Sequence, residues 1–264
     1  FSPSKGLNTH VSTFNVIPTA RYIYNFSQNS SFSANYNGSS SQPSFDQLQP
    51  VIDYSNANYP VQGNANLKPS FTNNFSLRYN RFSFDTGDTF FLNARFSQVN
   101  NSIVTNTTTY RVADPDHPRI KAGNILSQYL NADGFYTGDG RFSYSKPWDN
   151  RKFTLSFNGR ASYANNIGYI SSVDAGPNYK NDSTDVVLSQ LQKNISKNFQ
   201  YSPGIRFRVD IDNVIDAQLN TTYTISKTDN SIKTNQTQVA ANVRNLLLSI
   251  NGKNYFWNDR TLSY

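Results

Sequence analysis

Residues 75–97 read Phe75-Ser-Leu-Arg-Tyr-Asn-Arg-Phe-Ser-Phe-Asp-Thr-Gly-Asp-Thr-Phe-Phe-Leu-Asn-Ala-Arg-Phe-Ser97. Phe75, Leu77 and Tyr79 share one parity, and Ser76, Arg78 and Asn80 share the other. After a turn at Asp85–Asp88, Phe90, Leu92, Ala94 and Phe96 alternate with Asn93, Arg95 and Ser97. A period of two on both sides of a short turn predicts two half-buried strands joined as a hairpin.

The same alternation runs outward in both directions. On the N-terminal side, Phe14, Val16, Ala20, Tyr22, Tyr24 and Phe26 oppose Asn15, Thr19, Arg21 and Asn25, with Ile17 and Ile23 as exceptions. Phe32, Ala34 and Tyr36 follow. Toward the C-terminus come Gly140, Phe142 and Tyr144; then Phe153, Leu155, Phe157, Ala161 and Tyr163; then Tyr201, Ile205, Phe207 and Val209. Ile215, Ala217, Leu219, Tyr223 and Ile225 make a further strand. Over 235–250 the apolar parity switches from Val239, Ala241 and Val243 to Leu246, Leu248 and Ile250, which either a bulge or a misplaced frame accounts for. The whole predicts about ten strands.

The connections alternate in length. Short ones fall near Ser27–Ser30, Asp85–Asp88, Ser145–Arg151, Asp210–Asn213 and Asn251–Asp259, and long polar segments near 41–70, 106–132, 165–194 and 227–234. Short turns at one end and long loops at the other are the pattern of an antiparallel up-and-down transmembrane β-barrel, with the short turns periplasmic. Arg21, Arg78, Arg95, Arg141, Arg160, Arg206 and Arg208 all lie on the less apolar parity and are candidates to face the lumen. A lipid-facing Arg costs roughly 2–4 kcal/mol at the bilayer midplane. Tyr24, Phe26, Tyr144, Phe153, Phe207 and Trp257 sit where a girdle at the short-turn end belongs.

Composition agrees. Roughly one residue in seven of the 264 is Asn, all 17 acidic residues are Asp, and mean hydropathy is −0.62. The 17 Tyr and 19 Phe separate this polarity from that of a disordered chain. No apolar run approaches a membrane helix, which excludes nothing for a barrel. Cysteine is absent, so disulfides and thiolate metal sites are excluded. The net charge of +7 is dispersed, which argues against nucleic acid as a partner. Phe1 and the lack of any Met suggest a processed or excised piece.

Catalytic constellations are not legible. His10 and His117 are far apart, and Asp114-Pro-Asp-His117 reads as a proline-bounded loop lacking the further ligands of a metal site. Asp210-Ile-Asp-Asn213 reads as a hairpin turn rather than a calcium loop. Neither a nucleophile elbow nor a phosphate loop is present, so no enzymatic activity, cofactor or metal is expected.

The most specific segment is Ser40-Ser-Gln-Pro-Ser-Phe-Asp-Gln-Leu-Gln-Pro50 with Gly63-Asn-Ala-Asn-Leu-Lys-Pro-Ser-Phe-Thr-Asn73. It resembles the motif of the outer-membrane β-barrel family related to TonB-dependent receptors. Pro43, Leu48, Pro50, Gly63, Asn64, Asn66, Leu67, Lys68 and Pro69 match, while Gln42, Ala65 and Ser70 depart. Physically, Pro43, Pro50, Pro60 and Pro69 remove ladder donors, and Gly63, Asn64 and Asn66 favour turns. This predicts a shaped loop at the long-loop end. It serves either cargo or, as the residue types favour, the locking of its own conformation.

The resemblance implies the C-terminal part of one large barrel domain spanning 1–264, with the N-terminal plug and first strands elsewhere. It implies active uptake of a nutrient, partners in outer-membrane lipid, the plug and remaining strands, TonB through the missing part, and a surface lipoprotein. Two other readings stay open: a passive channel or small closed barrel, and a soluble β-sandwich adhesin that binds glycans. Against a small closed barrel, only Thr261–Tyr264 follow the last turn, fewer than the ~9–11 residues of a spanning strand.

Overall fold

The computed structural model describes residues 16–176, 186–232, 241–256 and 260–263. In chain order the elements are β1 (Thr19–Ser27), β2 (Ser30–Ser41), α1 (Phe45–Leu48), β3 (Ile52–Asp53), β4 (Val61–Gln62), β5 (Ser70–Phe82) and β6 (Thr89–Asn100). They continue with β7 (Ser102–Tyr110), β8 (Ile125–Ala132), β9 (Phe135–Trp148), β10 (Phe153–Ala175), β11 (Val186–Leu188) and β12 (Gln192–Ile211). The last are β13 (Ile215–Asn230), β14 (Ala241–Phe256) and β15 (Arg260–Ser263). All fifteen strands belong to one sheet.

Ten strands form an antiparallel path, β1-β2-β5-β6-β9-β10-β12-β13-β14-β15. This is the wall of a partial up-and-down barrel. The alternation seen in sequence stays aligned from strand to strand. Leu77 pairs with Ala34 and Ala94, and the row continues through Gly140, Ala161, Tyr201 and Ile225. The next row, on the opposite face, carries Ser33, Arg78, Asn93, Arg141, Arg160 and Ser202. A one-residue slip would exchange the two faces, so the pattern itself specifies the register.

Hairpin turns hold the short-turn end. Gly87 adopts φ 72° and donates its N–H to Ser83 at 2.8 Å, closing the β5–β6 turn. Asp149, Asn150 and Arg151 are all left-handed between β9 and β10, as is Asn213 between β12 and β13. Asn and Asp tolerate that region better than most side chains. Aromatics gather at this end of the apolar face. Trp148, Phe153 and Phe207 stack with centroids 5.7–6.4 Å apart, and Phe26 meets Tyr24 and Tyr79 edge-on. Of the girdle expected from sequence, Trp257 lies outside the described residues.

Among the described residues, nothing packs on the apolar face. Phe75, Leu77, Phe157, Ile205 and Leu219 are exposed, and Leu246, Leu248 and Ile250 are 61%, 62% and 67% exposed. A contiguous apolar surface of this extent marks contact with another apolar phase. A soluble sandwich would cover it with a second sheet, and the described strands form one sheet only. That removes the β-sandwich adhesin reading.

Several expectations need correction. Segments 106–132 and 165–194 are not simply loops, because β7 ends at Tyr110, β8 spans Ile125–Ala132, and β10 runs to Ala175. Their period of two is invisible because Ser, Thr and Asn occupy both parities, while β-branched Thr105 and Thr107–Thr109 still favour extended backbone. No bulge interrupts β14, whose register with β13 is unbroken from Ile215–Asn254 to Thr228–Ala241. Ala241 and Val243 lie on the polar face, and Leu246, Leu248 and Ile250 on the apolar one. The turn placed at Asn251–Asp259 starts later, since β14 continues to Phe256. Two arginines escaped the sequence reading: Arg81, paired with Phe90 beside a turn, and Arg244, paired with Ile225, lie on the apolar parity. Long Arg stems let the charge reach the interface from such positions.

The face assignment predicts an asymmetry. In the full-length protein, Leu77→Arg is expected to block membrane assembly, at a cost of roughly 2–4 kcal/mol near the midplane, whereas Phe207→Arg, in the aromatic rim and in one row with Lys146, is expected to cost less. Ser76→Arg, between Asn35 and Arg95 on the polar face, is expected to assemble normally. Heat-modifiable migration in detergent gels reads the result, and equal tolerance on both faces would refute the assignment.

Candidate functional site

The buried core of this protein sits beyond the wall, at the long-loop end. Tyr110, Ile120, Leu126 and Val173 form it, with Ile52, Tyr54 and Val112 packed against them. β10, 23 residues long, extends about 75 Å at ~3.3 Å per residue, far past an apolar band about 25 Å tall. Its outer part carries the cap. Tyr169–Val173 pair in parallel with Asn106–Tyr110 of β7, β7 pairs with β8, and β8 pairs in parallel with β4.

The motif read at 40–73 builds the inner side of this cap. Ser44 caps α1 reciprocally with Gln47: its hydroxyl accepts the Gln47 N–H, and its own N–H donates to Gln47 Oε1 at 2.9 Å. Pro43 and Pro50 bracket that turn, and Leu48 within it is half-buried. Gly63 passes against the helix end, where a Cβ would meet the carbonyls of Gln49, Asp46 and Gln47, the last two at 2.6 and 2.8 Å. Only glycine fits. Asn64 N–H donates to the Gln47 carbonyl at 2.6 Å, and Asn64 Nδ2 to the Tyr129 carbonyl at 3.0 Å. Asn66 N–H closes an Asx turn on Asn64 Oδ1 at 2.9 Å. Leu67 is buried, and Pro69 leads into β5. Lys68 N–H donates to Asn131 Oδ1 at 2.7 Å, and Asn131 Nδ2 donates back to the Lys68 carbonyl and to that of Asn101. The motif residues thus bind chiefly backbone groups, tying loop 42–69 to the β7–β8 hairpin.

Sequence reasoning missed the other half of this attachment. Asn106, buried, donates to Thr108 Oγ1 and Ser171 Oγ, and those two hydroxyls lie 2.7 Å apart. Arg111 pairs with Asp174 at 2.9 Å. Asp114 accepts from the Asp116 N–H and pairs with His117 Nδ1 at 3.0 Å. Burial pushes the Asp114 carboxyl up, but hydrogen bonds from His117, the Asp116 amide and Tyr110 outweigh it and hold the group below its ordinary range. Only the Asp-Pro-Asp-His spacing signalled any of this. Among the described residues, no three His or Asp side chains gather as a metal site, and His10 lies outside them.

Between the motif loop and the hairpin opens a cleft of about 580 Å³, lined by Asp46, Gln49, Asp53, Tyr54, Arg119 and Tyr129. The Arg119 guanidinium lies over the Tyr54 ring, 5.2 Å from its centroid. Of the tyrosines in the segments predicted as long loops, Tyr54 and Tyr129 therefore meet in one cleft. Tyr110 is buried in the core, Tyr59 is exposed, Tyr169 sits in the β10 ladder, and Tyr179 lies outside the described residues.

All seven arginines singled out in sequence occur on the polar face, in different settings. Arg21 and Arg95 share one row with Asp139, and Arg78, Arg141 and Arg160 share the next. Arg206 donates to Asn220 Oδ1 at 2.7 Å. Arg208 contacts Asp216 at 3.0 Å and Asp210 at 2.9 Å.

A wall with an unburied apolar face, an aromatic rim and a packed cap at its long-loop end defines an integral membrane β-barrel. The model of the outer membrane protein beta-barrel family matches residues 3–243, and the chain belongs to that family. It is therefore a bacterial outer-membrane protein. No curated protein matches the chain.

Two outcomes follow from the cap. Gly63→Ala is expected to loosen it, so that limited proteolysis cuts within 42–69 while the wall strands stay protected. Because the folded Asp114 carboxyl titrates below the value of 3.8 it has when unfolded, its stabilisation is complete above that pH and is lost as pH falls through the lower folded value. Protease protection of the cap should therefore drop below about pH 4, and Asp114→Asn should remove part of that pH dependence, the rest coming from Asp174, whose carboxyl Ser172 and Arg111 also hold low.

Proposed function

We propose that this chain is an arc of the barrel of a TonB-dependent receptor that actively imports a nutrient, with an N-terminal plug and the remaining strands supplied by the parent protein. The single observation that carries the reading is the cap. A cleft holding two tyrosines, two aspartates and an arginine opens at the long-loop end on a locked scaffold, where an incoming solute would meet it first. Ligand sites are typically clefts of this size with a few convergent polar groups on a preformed frame.

Two further features support it. The ten-strand path ends on β1 and β15, and no pairing joins them among the described residues. Open edges of this length demand partners, as an arc of a larger barrel would have. The likeness of 40–73 to the motif of receptor-related barrels points the same way. Binding in the cleft, passage past the arginine-lined wall and energy from TonB make a transport cycle with no chemical conversion of the cargo. A surface lipoprotein that covers the cap fits the same scheme.

A passive channel makes the opposite electrical prediction. The purified parent protein in planar bilayers should be electrically silent, as a plugged barrel is. Nutrient-dependent growth that requires it should disappear when TonB is deleted. Steady conductance, or uptake that persists without TonB, would replace the receptor by an open pore.

A further inference from the structure

Arg141 on β9 and Arg160 on β10 are direct cross-strand partners, and Arg78 lies two strands away in the same row with Asn93 between. At ~4.8 Å per strand the row of guanidinium stems spans about 15 Å. Like charges directly opposite one another oppose sheet pairing. The wall has the means to neutralise arginine, as it does at Arg208 with Asp210 and Asp216. None of these three forms an ion pair within 4.0 Å of a described carboxylate. The closest acid in register, Asp139, lies one row away, opposite Arg95.

The three also surround a cleft of about 580 Å³ in the lumen wall. Its floor includes Phe91, half exposed, which replaces a polar side chain between Asn80 and Ser143 and stands diagonal to Arg78 and Arg141. Gly204, paired with Asn158 on the polar face, keeps the far side low.

From this we infer that Arg78, Arg141 and Arg160, with Phe91, form a lumen site for a multiply charged organic carboxylate with an apolar body. Planar guanidinium forks match carboxylates bidentately, and the phenyl ring supplies an apolar contact that a small inorganic anion would not use. The carboxylates come either from a free solute in the lumen or from acidic side chains of a polypeptide segment seated there. The inference rests on the barrel fold alone and holds whether the lumen is plugged or open.

The test uses the full-length parent protein in detergent at low ionic strength, with benzene-1,3,5-tricarboxylate and citrate as probes in titration calorimetry. A free-solute site binds both, the aromatic probe more tightly. Arg160→Gln or Arg141→Gln then weakens both by about tenfold. Phe91→Ala abolishes the preference for the aromatic probe, and Arg208→Gln, at an already paired arginine, changes little. If a resident acidic segment fills the site, neither probe binds the wild type, and Arg141→Gln lowers the temperature at which the barrel unfolds on gels. Absence of probe binding together with unchanged or raised heat stability in Arg141→Gln would overturn the inference. So would equal loss of binding in Arg208→Gln.

Discussion

A backbone amide in the hydrocarbon of a bilayer has no water to turn to, so every N–H and C=O there must find a partner in the protein. The ladders of the ten-strand path meet that demand, and the rest of the molecule is arranged around them. Side chains then have one remaining freedom, which face they take. Alternation, with few exceptions, uses it to separate an apolar face from a polar one: Leu77, Ala94 and Tyr201 share one face while Arg78, Asn93 and Ser202 share the other. Even the exception is handled within the ladder. Pro203 removes a donor from the middle of β12, pairs with β13 are missing at 202 and 203, and the Ser202 and Thr224 hydroxyls meet across the gap at 3.0 Å.

This inverts the usual relation between burial and location. Large apolar side chains of the wall are exposed in the protein alone because lipid is their packing partner, whereas the small core of Tyr110, Ile120, Leu126 and Val173 lies in the cap. The two parts obey different solvents. In the wall, an apolar residue is placed by its distance from the bilayer centre. In the cap, burial must offset ordering entropy in water, and buried polar groups such as Asn106 and Thr108 need explicit partners.

The wall was legible in sequence because its contrast is chemical: Phe and Leu on one parity, Arg, Ser and Asn on the other. Even the number of wall strands came out, since the turns after β5, β9 and β12 carry Gly87, Asp149, Asn150 and Asn213 where the backbone is left-handed. The cap was not legible. Thr105–Thr109 and Ser171–Ser172 are polar on both parities, so alternation cannot show, and the contacts that fix them join residues 63 to 65 positions apart. The proline and glycine motif announced a shaped loop, yet nothing in it named Asn131, the side chain that receives it. The arginines were placed on the polar parity one at a time. That Arg141 stands opposite Arg160 needs the inter-strand register, which no single strand contains.

The parallel seat of β7 on β10 has a mechanical meaning. The five paired positions from Tyr169–Asn106 to Val173–Tyr110 lie along the strand direction, which is also the direction from lumen to exterior. A load pushing outward through the pore would pull on all five pairs together, in shear, instead of opening them one after another like a zipper. The cap is thus stiff toward thrust along the pore and more compliant toward sideways peeling of these pairs, so any opening of the mouth should be a tilt and not a lift.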